Sequence, residues 1–316
     1  MLMKLKAIPL ATALLGVAAV VGGWLIWYML IDPLSLLPEP HRAIIATDAP
    51  SPRAPDFPGR RVKNIRFDAG MAGDIRISVS LPKELSGKQL PVFVLLGGLR
   101  TGRANVFYID TPGDNALLGF EYPLPKKIED GWTTVHQLRN LRHQALLTPA
   151  QIVSVLYWLR KQPWVDTNRI SLVGVSLGAL YLPAVQNLAQ HYEVGVRHLV
   201  IAYGGAGISD LVADRLRFGP AWVREMIGAV AEFALRPVEP SLHLPSLSGD
   251  ILLINSVGPD KFMPASSVQE LHRLTPEPKT MVSLKGGHID QGGSRLVKHL
   301  VDVASEWLRE RNAMNR

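Results

Sequence analysis

Short apolar runs rich in β-branched residues alternate along most of this chain with longer stretches whose apolar positions recur every three or four residues. The first pattern predicts strands at Ile65–Phe67, Ile75–Leu81, Val92–Leu96, Ala116–Glu121, Ile170–Val175, Leu199–Tyr203, Ile251–Asn255 and Met281–Leu284. The second predicts helices over Thr148–Lys161, Leu177–His191 and Ser294–Arg311. Strands that alternate with helices imply a mostly parallel sheet covered on both faces. Two regions break the alternation. From Ala7 to Ile31 no residue is charged, and residues 32–61 hold seven prolines with little apolar periodicity.

The uncharged run reads as an uncleaved transmembrane anchor. As a helix it would extend roughly 37 Å, enough to cross a hydrocarbon core with some tilt. Its end, Trp24-Leu-Ile-Trp27-Tyr28, is too bulky for a signal cleavage site and suits an interfacial aromatic belt. Lys4 and Lys6 before the span, against Asp32 and Glu39 after it, place the amino terminus in the cytoplasm. The remainder would then lie outside the cytoplasmic membrane, in the periplasm. The expected organisation is residues 1–31 as cytoplasmic end and anchor, 32–61 as a proline-rich stalk, and 62–316 as one domain. Within that domain, 205–248 is an insertion between two strands. Its Trp222, Val223, Met226, Ile227, Val230 and Phe233 share a helical face, which fits either a cap over a site or an amphipathic helix packed on the sheet.

Gly174-Val175-Ser176-Leu177-Gly178 stands where the strand Ile170–Val175 turns into a helix. Glycines flanking a serine in that context permit the strained turn that exposes a nucleophilic hydroxyl. A serine nucleophile needs a base, and the base needs an acid to orient it. Asp260 follows the strand Ile251–Asn255, and His288 follows Met281–Leu284 through Lys-Gly-Gly. Loops at the carboxyl ends of parallel strands gather at one edge, so the three can meet there. Asp210, Asp290 and Asp250 are rival acids, although Asp250 begins rather than ends its strand.

Trp164-Val-Asp-Thr-Asn-Arg169 followed by Ile170–Val175 and the serine turn resembles the run into the nucleophile elbow of the α/β hydrolases, nearest to the dienelactone-hydrolase and prolyl-oligopeptidase-like branches. Pro91-Val-Phe-Val-Leu-Leu-Gly97-Gly98 resembles their oxyanion strand, although Leu96-Gly97-Gly98 stands where many relatives carry His-Gly. The resemblance spans roughly residues 62–312. It implies an α/β-hydrolase fold, doubly wound and mostly parallel, with a small cap insertion and here an added N-terminal transmembrane helix. It further implies Ser176 as nucleophile, His288 as base and Asp260 as acid, with an oxyanion hole formed by the N–H of Leu177 and that of Gly98 or Leu99.

Composition removes other chemistries. The chain has nine histidines but no His-Glu-x-x-His, and no cysteine, so neither a metal nor a thiolate is expected. Gly97-Gly-Leu-Arg-Thr-Gly102-Arg103-Ala104 spaces its glycines like a phosphate loop. Arg103 and Ala104, however, occupy the places of the required lysine and of the hydroxyl that would hold magnesium. A formal net charge of +7 is spread along the chain without a nucleic-acid-binding motif. The expectation is therefore a cofactor-free, membrane-anchored serine hydrolase. Its partners would be an acyl ester or thioester of small-molecule or lipid-like character and the bilayer, with no nucleic acid. A peptidase, an amidase or an acyltransferase could use the same three residues, and a non-catalytic scaffold is the alternative from another class.

Overall fold

The computed structural model describes residues 10–48, 59–84, 87–98, 101–124, 133–289 and 294–315. Among these residues nine strands form a single sheet: β1 Ile45–Asp48, β2 Arg60–Asp68, β3 Asp74–Pro82, β4 Leu90–Leu96, β5 Ala116–Glu121, β6 Val165–Val175, β7 His198–Ala202, β8 Asp250–Val257 and β9 Lys279–Lys285. Their order across the sheet is β1-β2-β3-β5-β4-β6-β7-β8-β9. The first four in that order pair antiparallel, and every pair from β5 to β9 is parallel. All eight expected strands are present. The ninth, β1, pairs with the outer edge of β2 from within the proline-rich segment.

The helices are α1 Leu10–Leu30, α2 Thr133–Leu159, α3 Leu177–His191, α4 Ile208–Arg215, α5 Ala221–Leu235, α6 Pro240–His243, α7 Ala265–Leu274 and α8 Ser294–Glu310. Successive side chains of a strand point to opposite faces, so one central strand can serve two cores. In β4, Val92, Val94 and Leu96 join the cluster of α2 and α3, built around Val153, Leu156, Leu182 and Val185. Phe93 and Leu95 join the opposite cluster, with Leu300, Ala304, Trp307 and Leu308 of α8. Burial on both faces explains why β4, β7 and most of β8 read as continuous apolar runs. In β2, by contrast, apolar and polar positions alternate toward the sheet edge.

The expected membrane span requires correction. Within the uncharged run Leu10–Leu30 is helical, but among the described residues no helix is long and apolar enough to cross a membrane. Two of the aromatic residues of α1, Trp24 and Tyr28, also have protein partners. Tyr28 is 6% exposed, its ring lies 4.7 Å from that of Phe233, and its hydroxyl donates to the Phe233 carbonyl at 3.1 Å. Trp24 stacks on Tyr28 at 5.7 Å. Arg236 donates to the Met29 carbonyl at 2.7 Å. The aromatic cluster assigned to a lipid interface thus joins the end of α1 to α5. Downstream, Leu37 is buried in the core beneath α2 and α3, and His41 N–H donates to Ser154 Oγ at 2.8 Å.

Between β4 and β6 the chain departs in opposite directions, toward β5 on one side and β7 on the other. Loops leaving the carboxyl ends there diverge and open a crevice. Residues 97–98, Ser176, Asp260 and His288 all follow strand ends on that edge.

Candidate active site

Ser176 occupies the single residue between β6 and α3 with φ 55° and ψ −114°. A side-chain-bearing residue held in that region is strained and persists only where its surroundings impose it. Two glycines impose it here. A Cβ on Gly174 would come 2.6 Å from the Gly178 carbonyl oxygen, and one on Gly178 would overlap the carbonyl oxygen of Leu96. The strand end and the helix start can therefore close to this distance only without side chains. Ser176 N–H donates to the Ala202 carbonyl at 3.0 Å, which ties the turn to the end of β7.

The Ser176 hydroxyl lies 2.8 Å from His288 Nε2. On the other side of the ring, His288 Nδ1 lies 2.9 Å from Asp260 Oδ2. The side chains of the histidine and the aspartate are 6% and 5% exposed, which keeps water from competing for these bonds. The second carboxylate oxygen, Oδ1, accepts from the N–H groups of Phe262 at 2.8 Å and Met263 at 3.2 Å. Burial alone would raise this carboxyl group. The hydrogen bonds from His288 and from the two N–H groups outweigh it and hold Asp260 below the ordinary carboxylate range.

The rival acids are engaged elsewhere or lie outside the description. Asp210 accepts from the Ser266 hydroxyl at 2.8 Å. Asp250 accepts from Arg197 Nε at 3.0 Å and lies 3.5 Å from His198 Nε2. Asp290 falls outside the described residues.

Of the expected oxyanion donors, Leu177 is the first residue of α3, where an N–H has no intrahelical partner. The Gly97 carbonyl accepts from Gly178 N–H at 3.2 Å and from the Tyr122 hydroxyl at 2.9 Å. In a trans peptide these bonds turn the Gly98 N–H the opposite way from that carbonyl. Leu99 lies outside the described residues. The insertion between β7 and β8 carries α4 and α5, which pack on each other.

Three neighbours of the site escaped sequence reasoning. The Phe262 ring lies 4.6 Å from the imidazole, tilted by 36°. Tyr203, at φ 53°, sets its ring edgewise to the imidazole at 5.7 Å. Burial, and then the charge of Asp260, push its phenol up to about 12. Tyr122 anchors Gly97 from below, and its phenol is raised well above its ordinary value by burial and then by Tyr181. Only Phe262 had a local signal, being two residues from Asp260.

The arrangement of strands and turns recurs in known structures. The acetyl xylan esterase from Paenibacillus sp. R4 superposes with a TM-score of 0.60 at 15% identity, over 88% of this chain and 93% of the esterase. The fold is that of the α/β hydrolases. Acetyl xylan esterase 1 from Thermoanaerobacterium sp. JW/SL YS485 shares this α/β-hydrolase fold at a TM-score of 0.57 and 16% identity, over 86% of this chain and 91% of that one. Pyrococcus horikoshii acylaminoacyl peptidase does so at 0.56 and 17%, over 79% of this chain and 42% of the peptidase. No protein-family profile and no curated protein matches the chain.

Proposed function

We propose that this protein is a serine hydrolase that cleaves a carboxylic ester or thioester through an acyl-enzyme on Ser176. One observation carries the reading: a serine hydroxyl, an imidazole and a carboxylate form a hydrogen-bonded line, at 2.8 and 2.9 Å, on the carboxyl edge of the sheet. His288 Nε2 takes the proton as Ser176 Oγ bonds to the acyl carbon. Asp260 accepts from Nδ1–H, fixing the tautomer that leaves Nε2 free and stabilising the imidazolium. The tetrahedral oxyanion is held by the N–H of Leu177 and that of Gly98. His288 then protonates the departing oxygen or sulfur, and water repeats the cycle in reverse to release the acid.

Fold neighbours described as esterases favour the ester, and those described as acylaminoacyl peptidases carry the amide as second reading. The test is hydrolysis of p-nitrophenyl esters of increasing acyl length beside a set of aminoacyl amides. Ester turnover that disappears in Ser176→Ala supports the proposal. Amide turnover alone favours the second reading, and undiminished turnover in the variant removes the serine assignment.

A further inference from the structure

The groups beside His288 bear on which esters are cleaved. His288 Nε2 must hand its proton to the leaving oxygen, so the alcohol half of a bound ester lies along the imidazole. On that imidazole packs Phe262, 42% exposed. Over the Phe262 ring, at 4.2 Å from its centroid, lies the guanidinium of Arg215, the last residue of α4. A cation from the insertion thus stands one aromatic ring beyond the catalytic base.

Among the described residues a single hydrogen bond holds its position. Arg215 Nη1 donates to the Lys261 carbonyl at 2.9 Å, in the loop that carries Asp260. A guanidinium has five N–H donors in a planar fork, so this anchor fixes the group while leaving most of the fork for a ligand. Among the described residues no ion pair involves Arg215 or the adjacent Lys261. Of the two acids of α4, Asp210 accepts from the Ser266 hydroxyl and Asp214 is exposed, and among the described residues neither forms an ion pair with Arg215.

A fixed, exposed and unpaired guanidinium is suited to bind a carboxylate or phosphate through paired hydrogen bonds. We infer that Arg215 selects esters whose alcohol half carries an anionic group. The inference rests on the serine-hydrolase reading and names the substrate class of that same site.

The test compares two acetate esters that differ in one charge, 4-acetoxybenzoate and 4-acetoxybenzamide. The wild type should prefer the benzoate in kcat/KM by roughly tenfold, the scale of one charge-assisted hydrogen bond. In Arg215→Gln the ratio should fall toward one, and Arg215→Lys should retain part of it. Should either variant fold poorly, salt supplies the same readout on the wild type. Raising sodium chloride to about 0.5 M should shrink the preference, because the pair is exposed and screened. A wild type without preference for the benzoate, or a ratio unchanged in Arg215→Gln, overturns the assignment of Arg215 alone. Absence of turnover on both esters overturns the ester reading and this one with it.

Discussion

Replacing Gly178 by alanine tests whether the serine turn depends on backbone contact between β4 and α3. The added Cβ would overlap the carbonyl of Leu96 and lie 2.8 Å from the Leu96 Cβ. These atoms belong to a sheet strand buried on both faces, so they cannot swing aside as a flexible side chain would. Relief requires α3 to move away from β4, stretching the bond from Gly178 N–H to the Gly97 carbonyl, now 3.2 Å. Overpacking of this kind costs about 1–3 kcal/mol, and the rigidity of the strand argues for the upper end. In a domain of this size about 3 kcal/mol is roughly a 6–12 °C fall in Tm. The same movement displaces the Leu177 N–H from the Gly97–Gly98 peptide, and a misplacement of about 1 Å can cost on the order of 10²-fold in rate. Gly23→Ala, in α1 and outside the site, is the matched control, because among the described residues its Cβ would meet nothing within 4 Å. Scanning calorimetry and the rate of fluorophosphonate labelling read the two effects. Melting and labelling of Gly178→Ala indistinguishable from Gly23→Ala would refute the contact argument.

Asp260→Asn should lower kcat by about 10⁴-fold, since an amide in place of the carboxylate favours the wrong imidazole tautomer; steady-state ester hydrolysis measures it. Because the folded carboxyl is held below its ordinary value, its stabilising contribution is present above about pH 4 and lost as pH falls through the folded value. The difference in Tm between pH 6 and pH 3 should therefore be smaller in Asp260→Asn than in the wild type, and an equal difference would contradict that linkage. Glu239, 1% exposed, accepts from the N–H groups of Gly207, Ile208 and Ser241 at 2.9, 2.7 and 2.9 Å. It fastens the start of α4 to the chain beyond α5, so Glu239→Ala should cost about 3 kcal/mol, roughly 6–12 °C in Tm, whereas a shift under about 2 °C would show that the latch is dispensable.

The parts of the fold that the sequence made legible are those where period and burial coincide. β4, β7 and β8 are buried on both faces and show as apolar runs, and α3 and α8 show their periodicity within a residue or so of their ends. What was missed has local causes. Thr148-Pro149 has the character of a helix start, yet α2 begins at Thr133 and carries Pro149 inside it, with the Thr148 hydroxyl bonded to the Gln144 carbonyl at 3.0 Å. β1 is four residues at a sheet edge within a proline-rich stretch, too short to show a period. In α1, absence of charge and bulky aromatic ends are shared by a lipid-facing helix and one whose end packs on protein. The contacts of Tyr28 with α5 involve residues some 205 positions away, which no local pattern can report.

At the site, the order of serine, aspartate and histidine and their strand-end positions were legible because each follows its own apolar run. The flanking groups were not. Phe262 and Tyr203 reach the imidazole from two different loops, and Arg215 reaches Phe262 from the insertion, juxtapositions that exist only in three dimensions.

The most direct test of the central claim is to treat the full chain with a fluorophosphonate and locate the adduct by peptide mass spectrometry. One phosphonyl group should appear on the peptide containing Ser176. It should be missing in Ser176→Ala and form far more slowly in His288→Ala, because the hydroxyl is activated only through Nε2 at 2.8 Å. A label that persists in Ser176→Ala, or an unlabelled wild type under conditions that modify a known serine esterase, would contradict the account.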